Sequence, residues 1–382
     1  MYEGYIFIDS VLGLLGIAYA GLIVSYTYGW FSLPGFKTAS RGSYEMISVI
    51  VPVRNEAKNI INCLDDLLGQ KYPGHCYEII IVDDHSEDGS LQILEKRAAE
   101  SGAKRLKVIR LNERGVSGKK NAIREGIRMA GGKLIATTDA DCRIGHNWLS
   151  VINAYYRKSK ARMIAGPVSF HQERSWFEKM QSLEFLSLIA SGAGSIAIHA
   201  PVMCNGANLA YEKAAYEKAE NDRKDENFMS GDDIFLMLKI RKIFGKNAVH
   251  FLKSREAVVY TEAKKTFRDF ISQRIRWVSK SRAYTNLSII FSSLVVYFFN
   301  YAILAAFVLS LWFPGILRTA VIMLGIKLMV DLPILWGITR FTGKTALLWL
   351  YPFLEAIYVL YISFIGMIGN FAKFSWKGRK SI

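Results

Sequence analysis

Two long stretches without a charged residue bracket this chain, Ser10–Phe36 near its start and Ala283–Leu317 in its last third. Each is longer than the roughly 20 apolar residues needed to cross a bilayer. The sequence therefore argues against a purely soluble enzyme. Hydrophobic residues make up 51% of the 382 and charged ones 21%, which sets aside disordered and collagen-like classes as well.

The first stretch reads as a retained transmembrane anchor over residues 5–36. Glu3 and Asp9 precede it, so it lacks the basic leader of a secretory signal. Lys37 and Arg41 follow it and put that end in the cytoplasm by the positive-inside rule. Three further apolar segments, about 287–313, 319–338 and 345–369, define a C-terminal membrane region over residues 287–372. The middle one carries Lys327 and Asp331, spaced i,i+4, and the last carries Glu355. Such groups mark either a polar pathway or a satisfied contact between helices. Three crossings after a cytoplasmic middle would leave the basic tail, residues 373–382, on the outside, which the positive-inside rule disfavours. Pro333 and Pro352 are possible break points, and the number of C-terminal spans stays open.

Residues 44–282 form a block large enough for a full core. Its cysteines, Cys63, Cys76, Cys142 and Cys204, show no metal-ligand spacing and read as reduced thiols. Apolar runs at Ile47–Val51, Ile79–Val82, Leu106–Ile109 and Lys133–Thr137 alternate with helical patterns at Lys58–Leu68, Ser90–Glu100 and Lys119–Ala130. That alternation predicts an α/β block with a buried parallel sheet. Ligands of such sheets bind beyond the carboxyl ends of the strands. Polar clusters stand at those ends: Arg54-Asn55-Glu56, Asp83-Asp84-His85-Ser86 and Asp139-Ala140-Asp141.

Asp139 and Asp141, at i and i+2 after a strand, can hold a hard divalent cation, Mg²⁺ or Mn²⁺, against a diphosphate. The dinucleotide and phosphate-loop fingerprints are both absent. Gly118-Lys119-Lys120-Asn121 opens a helix whose amides and ammonium groups could meet phosphate, or simply face solvent. Gly231-Asp232-Asp233 precedes an apolar helix and is compatible with a plain cap. At about 100° per residue, Gln273, Arg276, Trp277 and Lys280 share one helix face, with Phe267, Ile271, Ile275 and Val278 opposite. Trp176, Met180, Leu183 and Leu186 are spaced as on an interfacial helix or a core one.

In this order, SVIVPVRNE (48–56), VDDHS (82–86), GKKN (118–121), Asp139-Ala140-Asp141, Gly231-Asp232-Asp233 and Q-x-x-R-W (273–277) resemble the motifs of membrane-embedded family 2 glycosyltransferases. The resemblance covers residues 46–282 and implies a GT-A domain that binds a nucleotide-sugar donor, a UDP-sugar foremost. It assigns Asp83 or Asp84 to base and ribose, and Lys119 to the nucleotide or diphosphate. Asp139 and Asp141 become the metal and nucleotide motif, with Asp141 the direct ligand. Asp233 becomes the catalytic base, with Asp232 its competitor because Gly-Asp-Asp stands where many relatives carry a Glu-Asp pair. Arg276 is assigned to the diphosphate, and Trp277 and Gln273 to the acceptor site, with Asn205 a further acceptor-site candidate. The implied reaction is an inverting, metal-assisted single displacement onto a lipid-linked or membrane-associated acceptor, lipid or glycan. It would take place at the plasma membrane, in a multi-pass protein with a cytoplasmic catalytic domain.

A processive polysaccharide synthase is the nearest rival reading. An aspartyl phosphatase would want its D-x-D after the first strand, and a transporter would leave the whole block at 44–282 without a role. The net charge of +16 suits anionic lipid head groups and nucleotide, not specifically nucleic acid.

Overall fold

The computed structural model describes residues 2–38, 42–101, 105–111, 117–221, 232–279, 284–368, 375–376 and 379–380. An apolar helix, α1 (Tyr2–Ser32), leads into an α/β block. The block runs β1 (Ile47–Val53), α2 (Ile60–Leu68), β2 (Tyr77–Asp83), α3 (Ser90–Ser101), β3 (Leu106–Arg110), α4 (Lys119–Met129) and β4 (Leu134–Thr137). It continues with β5 (Arg143–Ile144), α5 (Trp148–Ser159), β6 (Met163–Ala165), β7 (Val168–Phe170), α6 (Trp176–Ala197), β8 (Leu209–Glu212) and α7 (Lys213–Glu220). Then come α8 (Asp232–Phe244), β9 (Val249–Phe251), β10 (Val259–Thr261) and α9 (Phe267–Val278). The chain ends in α10 (Leu287–Leu309), α11 (Gly315–Thr342) and α12 (Tyr351–Ile368).

The main sheet has seven strands in the order β3-β2-β1-β4-β8-β6-β9. All pairs are parallel except those of β8 with β4 and β6. The expected strands are all present. Ile and Val fill β1 and β2, where nearly every residue is buried, because helices cover both faces of a parallel sheet. In register, Val53 of β1 lies beside Asp83 of β2, and Ile50 beside Thr137 of β4. The three polar clusters therefore leave the sheet along one edge, as the sequence predicts. A small sheet, β5-β10-β7, stands next to it.

Four helices among the described residues are long and apolar enough to cross a membrane, at Asp9–Ser32, Leu287–Leu309, Gly315–Thr342 and Thr345–Met367. Pro333 does not break α11, which runs through it. Pro352 stands in the first turn of α12, just after a 3₁₀ stretch at Thr345–Leu350. The basic tail positions Lys373 and Lys377 lie outside the described residues.

The helix α6 joins the block to these spans. Ser175 caps it, exchanging hydrogen bonds with Glu178 in a capping box. Its middle is buried, with Leu183 and Leu186 at 0% exposure, so the core reading of this segment holds and only Trp176 at its start is largely exposed. It crosses α1 at two glycines. A Cβ on Gly194 would lie 2.1 Å from the Tyr26 carbonyl oxygen, and one on Gly29 2.2 Å from that of Gly194. Two lateral cations fasten the block to helix ends. Lys253 donates to the carbonyls of Trp30 (2.7 Å) and Leu33 (3.2 Å), and Arg255 to those of Arg340 (2.9 Å) and Phe341 (2.8 Å). Both sites are helix C-termini, where unpaired carbonyls and the helix dipole favour positive charge.

Candidate active site

The carboxyl edge of the sheet opens into a cavity of about 1420 Å³ that continues between the apolar helices. Gly118, at φ 105°, turns the chain into α4 in a conformation that favours glycine, and its N–H donates to Asp84 Oδ2 at 3.0 Å. That bond presents Lys119, the first residue of α4, to the carboxylate of Asp139, with which it forms an ion pair. Burial works against the Lys119 ammonium, but the Asp139 carboxylate more than offsets it and raises the pKa.

Asp233 comes from the start of α8. Its Oδ2 accepts the Gly206 N–H at 2.9 Å and its Oδ1 the Ile234 N–H at 2.9 Å. Gly206 is tied back to β4 through its carbonyl, which accepts the Thr137 hydroxyl at 3.1 Å. Asn205 closes the same turn by accepting the Ala207 N–H at 3.0 Å. Arg276 lines the cavity from α9. Burial lowers its pKa, opposed by Asp139 and Asp233, whose charges act on it. Gln273 and Trp277 line the cavity as well, as do Arg274 and Val278.

The apolar face expected of α9 is not the one that packs: Phe267 is 68% exposed and Val278 lines the cavity, whereas Phe270 and Arg274 are buried. The reason is Glu184 on α6, which takes Arg274 Nε at 3.1 Å and Nη2 at 2.5 Å. The rings of Phe270 and Trp277 sandwich the guanidinium, 4.5 and 4.2 Å from their centroids. A paired, ring-stacked arginine buries here in preference to an aliphatic residue.

Asp84 lines the cavity and Asp83 does not. Asp83 Oδ2 accepts the Ser86 N–H at 3.2 Å, while its buried Oδ1 has no hydrogen-bond partner among the described residues. Asp141 lines the cavity next to Asp139. No group of three or more His, Cys, Asp or Glu side chains gathers there among the described residues. The two hard carboxylates fit a divalent cation, which would have to draw further oxygen ligands from outside the protein. Cys63 and Cys142 flank this pair, and burial pushes both thiols well up, with help from Asp141. They are inert packing groups. Of Asp232 only its place at the start of α8 is described, and Gly231 and Lys280 lie outside the described residues.

Tyr284, which the sequence reading does not single out, also lines the cavity. It precedes α10, its ring 5.2 Å from that of Phe235. Burial and the charge of Asp233 raise its pKa. Tyr284 is the second residue of the longest uncharged stretch, Ala283–Leu317, and carries no sequence mark of its own.

Comparison with known proteins bears on the family and the fold. The model described as "Glycosyl transferase family 2" matches residues 48–219, and that of "Glycosyl transferase family group 2" residues 134–367. A beta-monoglucosyldiacylglycerol synthase of Trichormus variabilis is 28% identical over 176 residues, 45% of this chain and 36% of that protein. An undecaprenyl-phosphate 4-deoxy-4-formamido-L-arabinose transferase of an Enterobacter species is 31% identical over 154 residues, 39% of this chain and 44% of that protein. The chain thus spans less than half the length of either relative. Among solved structures, a mannosyltransferase of Pyrobaculum calidifontis in complex with GDP-Man and Mn²⁺ superposes with a TM-score of 0.58 at 18% identity, covering 93% of this chain and 99% of that one. With one family model matching more than half of its length, a GT-A sheet and these carboxylates on one edge, the chain belongs to the family 2 glycosyltransferases.

Proposed function

We propose that this enzyme moves a sugar from a nucleoside-diphosphate donor, a UDP-sugar, to a hydroxyl of a lipid acceptor, with inversion at the anomeric carbon. One observation carries the reading: Lys119, Asp139, Asp233 and Arg276 meet at one end of a cavity that runs on between apolar helices. The names of both relatives above include a lipid, which supports the acceptor class.

In this reading Asp84, which lines the cavity and holds the Gly118 turn, meets the base and ribose, with Asp83 buried behind it. Asp139 and Asp141 would hold Mg²⁺ or Mn²⁺, whose charge offsets that of the diphosphate. Lys119 and Arg276 supply fixed positive charge where the leaving group becomes more negative. Asp233, oriented by the Gly206 N–H, takes the proton of the acceptor hydroxyl as it attacks. Asp232 competes for that role from the adjacent position. Trp277, Gln273 and Asn205 frame the acceptor. The chain is read as a multi-pass plasma-membrane protein: an anchor over 5–36, a cytoplasmic catalytic domain over 44–282, a membrane region over 287–372 and a basic tail.

Asp233→Asn tests the assignment. Transfer should fall by at least about a thousandfold, within the range for a lost general base, while donor binding measured by calorimetry stays nearly unchanged. Loss of donor binding instead would move Asp233 into the metal site.

A further inference from the structure

Deep between the apolar helices, Lys327 lies 2.6 Å from Asp331 and 2.6 Å from Glu355, and Tyr19 donates to Asp331 at 2.7 Å. That cluster ties α1, α11 and α12 together. A group that the proposed chemistry leaves unused stands at the other end of the cavity. Tyr284 lines it together with Asn205, Gly206 and Asp233. Its ring lies 5.2 Å from that of Phe235, two residues along α8 from Asp233. Tyr284 is half-buried, and among the described residues no hydrogen bond holds its hydroxyl. A phenol in such a place usually finds a partner.

Its character is opposite to that of its neighbour. Asp233 accepts one N–H at each oxygen, from Gly206 and Ile234, and can only accept further. Burial and the charge of Asp233 disfavour the Tyr284 phenolate, so this hydroxyl stays a donor around neutral pH. A molecule lying between the two must present a hydroxyl to one and an accepting oxygen to the other. The place suits a lipid. Asn286 caps α10 two residues later, accepting the Ser288 N–H at 3.0 Å. Leu287, the first residue of that helix, is 81% exposed, and the helix is apolar enough to cross a membrane. Tyr284 thus stands where the apolar layer meets the catalytic block.

We propose that Tyr284 positions the acceptor: its hydroxyl donates to an oxygen adjacent to the reacting hydroxyl. It thereby selects lipids in which an ester, ether or second hydroxyl oxygen is vicinal to the attacking one. The assignment rests on the lipid-acceptor reading above and narrows it to a chemical class.

The full-length protein in phosphatidylcholine vesicles, with Mg²⁺ and the labelled UDP-sugar from which it releases UDP, decides the matter. One set of vesicles carries dioleoylglycerol, whose hydroxyl neighbours an ester oxygen. A second carries oleyl alcohol, which has a lone hydroxyl, and a third a total lipid extract of the native membranes. The wild type should use dioleoylglycerol at the lower KM. Tyr284→Phe keeps the ring beside Phe235 and should raise that KM about fivefold, the scale of one neutral hydrogen bond. Transfer to oleyl alcohol, and UDP release to water without acceptor lipid, should not change. An equal loss with both alcohols means a structural role and overturns the assignment. So do an unchanged KM for dioleoylglycerol, a wild-type preference for oleyl alcohol, and transfer to the extract but to neither pure lipid. UDP release with no transfer to the extract would overturn the lipid-acceptor reading itself, and the assignment with it.

Discussion

Arg274 is 3% exposed and stacked between two rings, yet it stands one residue from Gln273, which lines the site. It also donates to Gln273 Oε1 at 2.8 Å, so one buried cation fixes both the α6–α9 contact and a cavity-lining side chain. Replacing it with methionine would leave Glu184 charged and unpaired at 6% exposure. Arg274→Met should therefore destabilise the protein by about 3–5 kcal/mol, the usual effect of breaking a buried pair from one side. The double variant with Glu184→Met should recover most of that stability, since it removes both desolvated charges. Thermal unfolding of the detergent-solubilised protein measures both. Equal stability of the single variant and the wild type would show that the pair contributes nothing.

At the level of elements, the joint between block and spans depends on α6 crossing α1 with no side chain between them. Gly194→Leu places a side chain where even a Cβ comes within 2.1 Å of the Tyr26 carbonyl oxygen, so the helices must separate. A loss of at least about 3 kcal/mol follows, at the upper end for overpacking. Thermal unfolding would read it, and a variant as stable as the wild type would mean that the crossing has slack. This joint was not legible in the sequence, because a pair of glycines 165 positions apart carries no periodic signal. β1 to β4 were legible for the opposite reason: strands buried on both faces write continuous Ile and Val runs. The three- and four-residue strands β6, β8 and β9 are too short to leave such a pattern. Motif residues at strand ends could be placed once the strands were, whereas the Asp233–Gly206 contact and Tyr284 exist only through the fold. For Arg274 the helical period was right and the polarity misled, since the partner that makes its burial possible lies 90 positions away.

For the molecule as a whole, helix direction fixes which ends share a side. The C-termini of α1 and α11 both meet the catalytic block through Lys253 and Arg255, and α10 begins beside it at Tyr284. The far ends of α1 and α11 meet in turn, where Thr319 donates to Asp9 at 2.7 Å. The connection at Ser310–Phe313 therefore lies across the apolar layer from the block. With Lys37 on the block's side, the positive-inside rule predicts a cytoplasmic block and an outward Ser310. The C-terminal arm is less regular: Tyr351, at the start of α12, donates to the carbonyl of Leu328, about 21 Å from the end of α11 by helical rise. Farther along, the Tyr361 ring lies 5.5 Å from that of Phe270 on α9, back at the block. A helix that starts deep beside α11 and returns to α9 would leave the tail on the cytoplasmic side, relieving the charge conflict posed by three full crossings. Single cysteines test both statements in intact cells with a membrane-impermeant thiol reagent. Ser310→Cys should label without lysis. Lys380→Cys should label only after lysis, as should the half-buried native Cys76 and Cys204, whereas the buried Cys63 and Cys142 should stay unlabelled throughout. Labelling of Lys380→Cys in intact cells would restore the third full crossing, and labelling of the native cysteines there would invert the whole orientation.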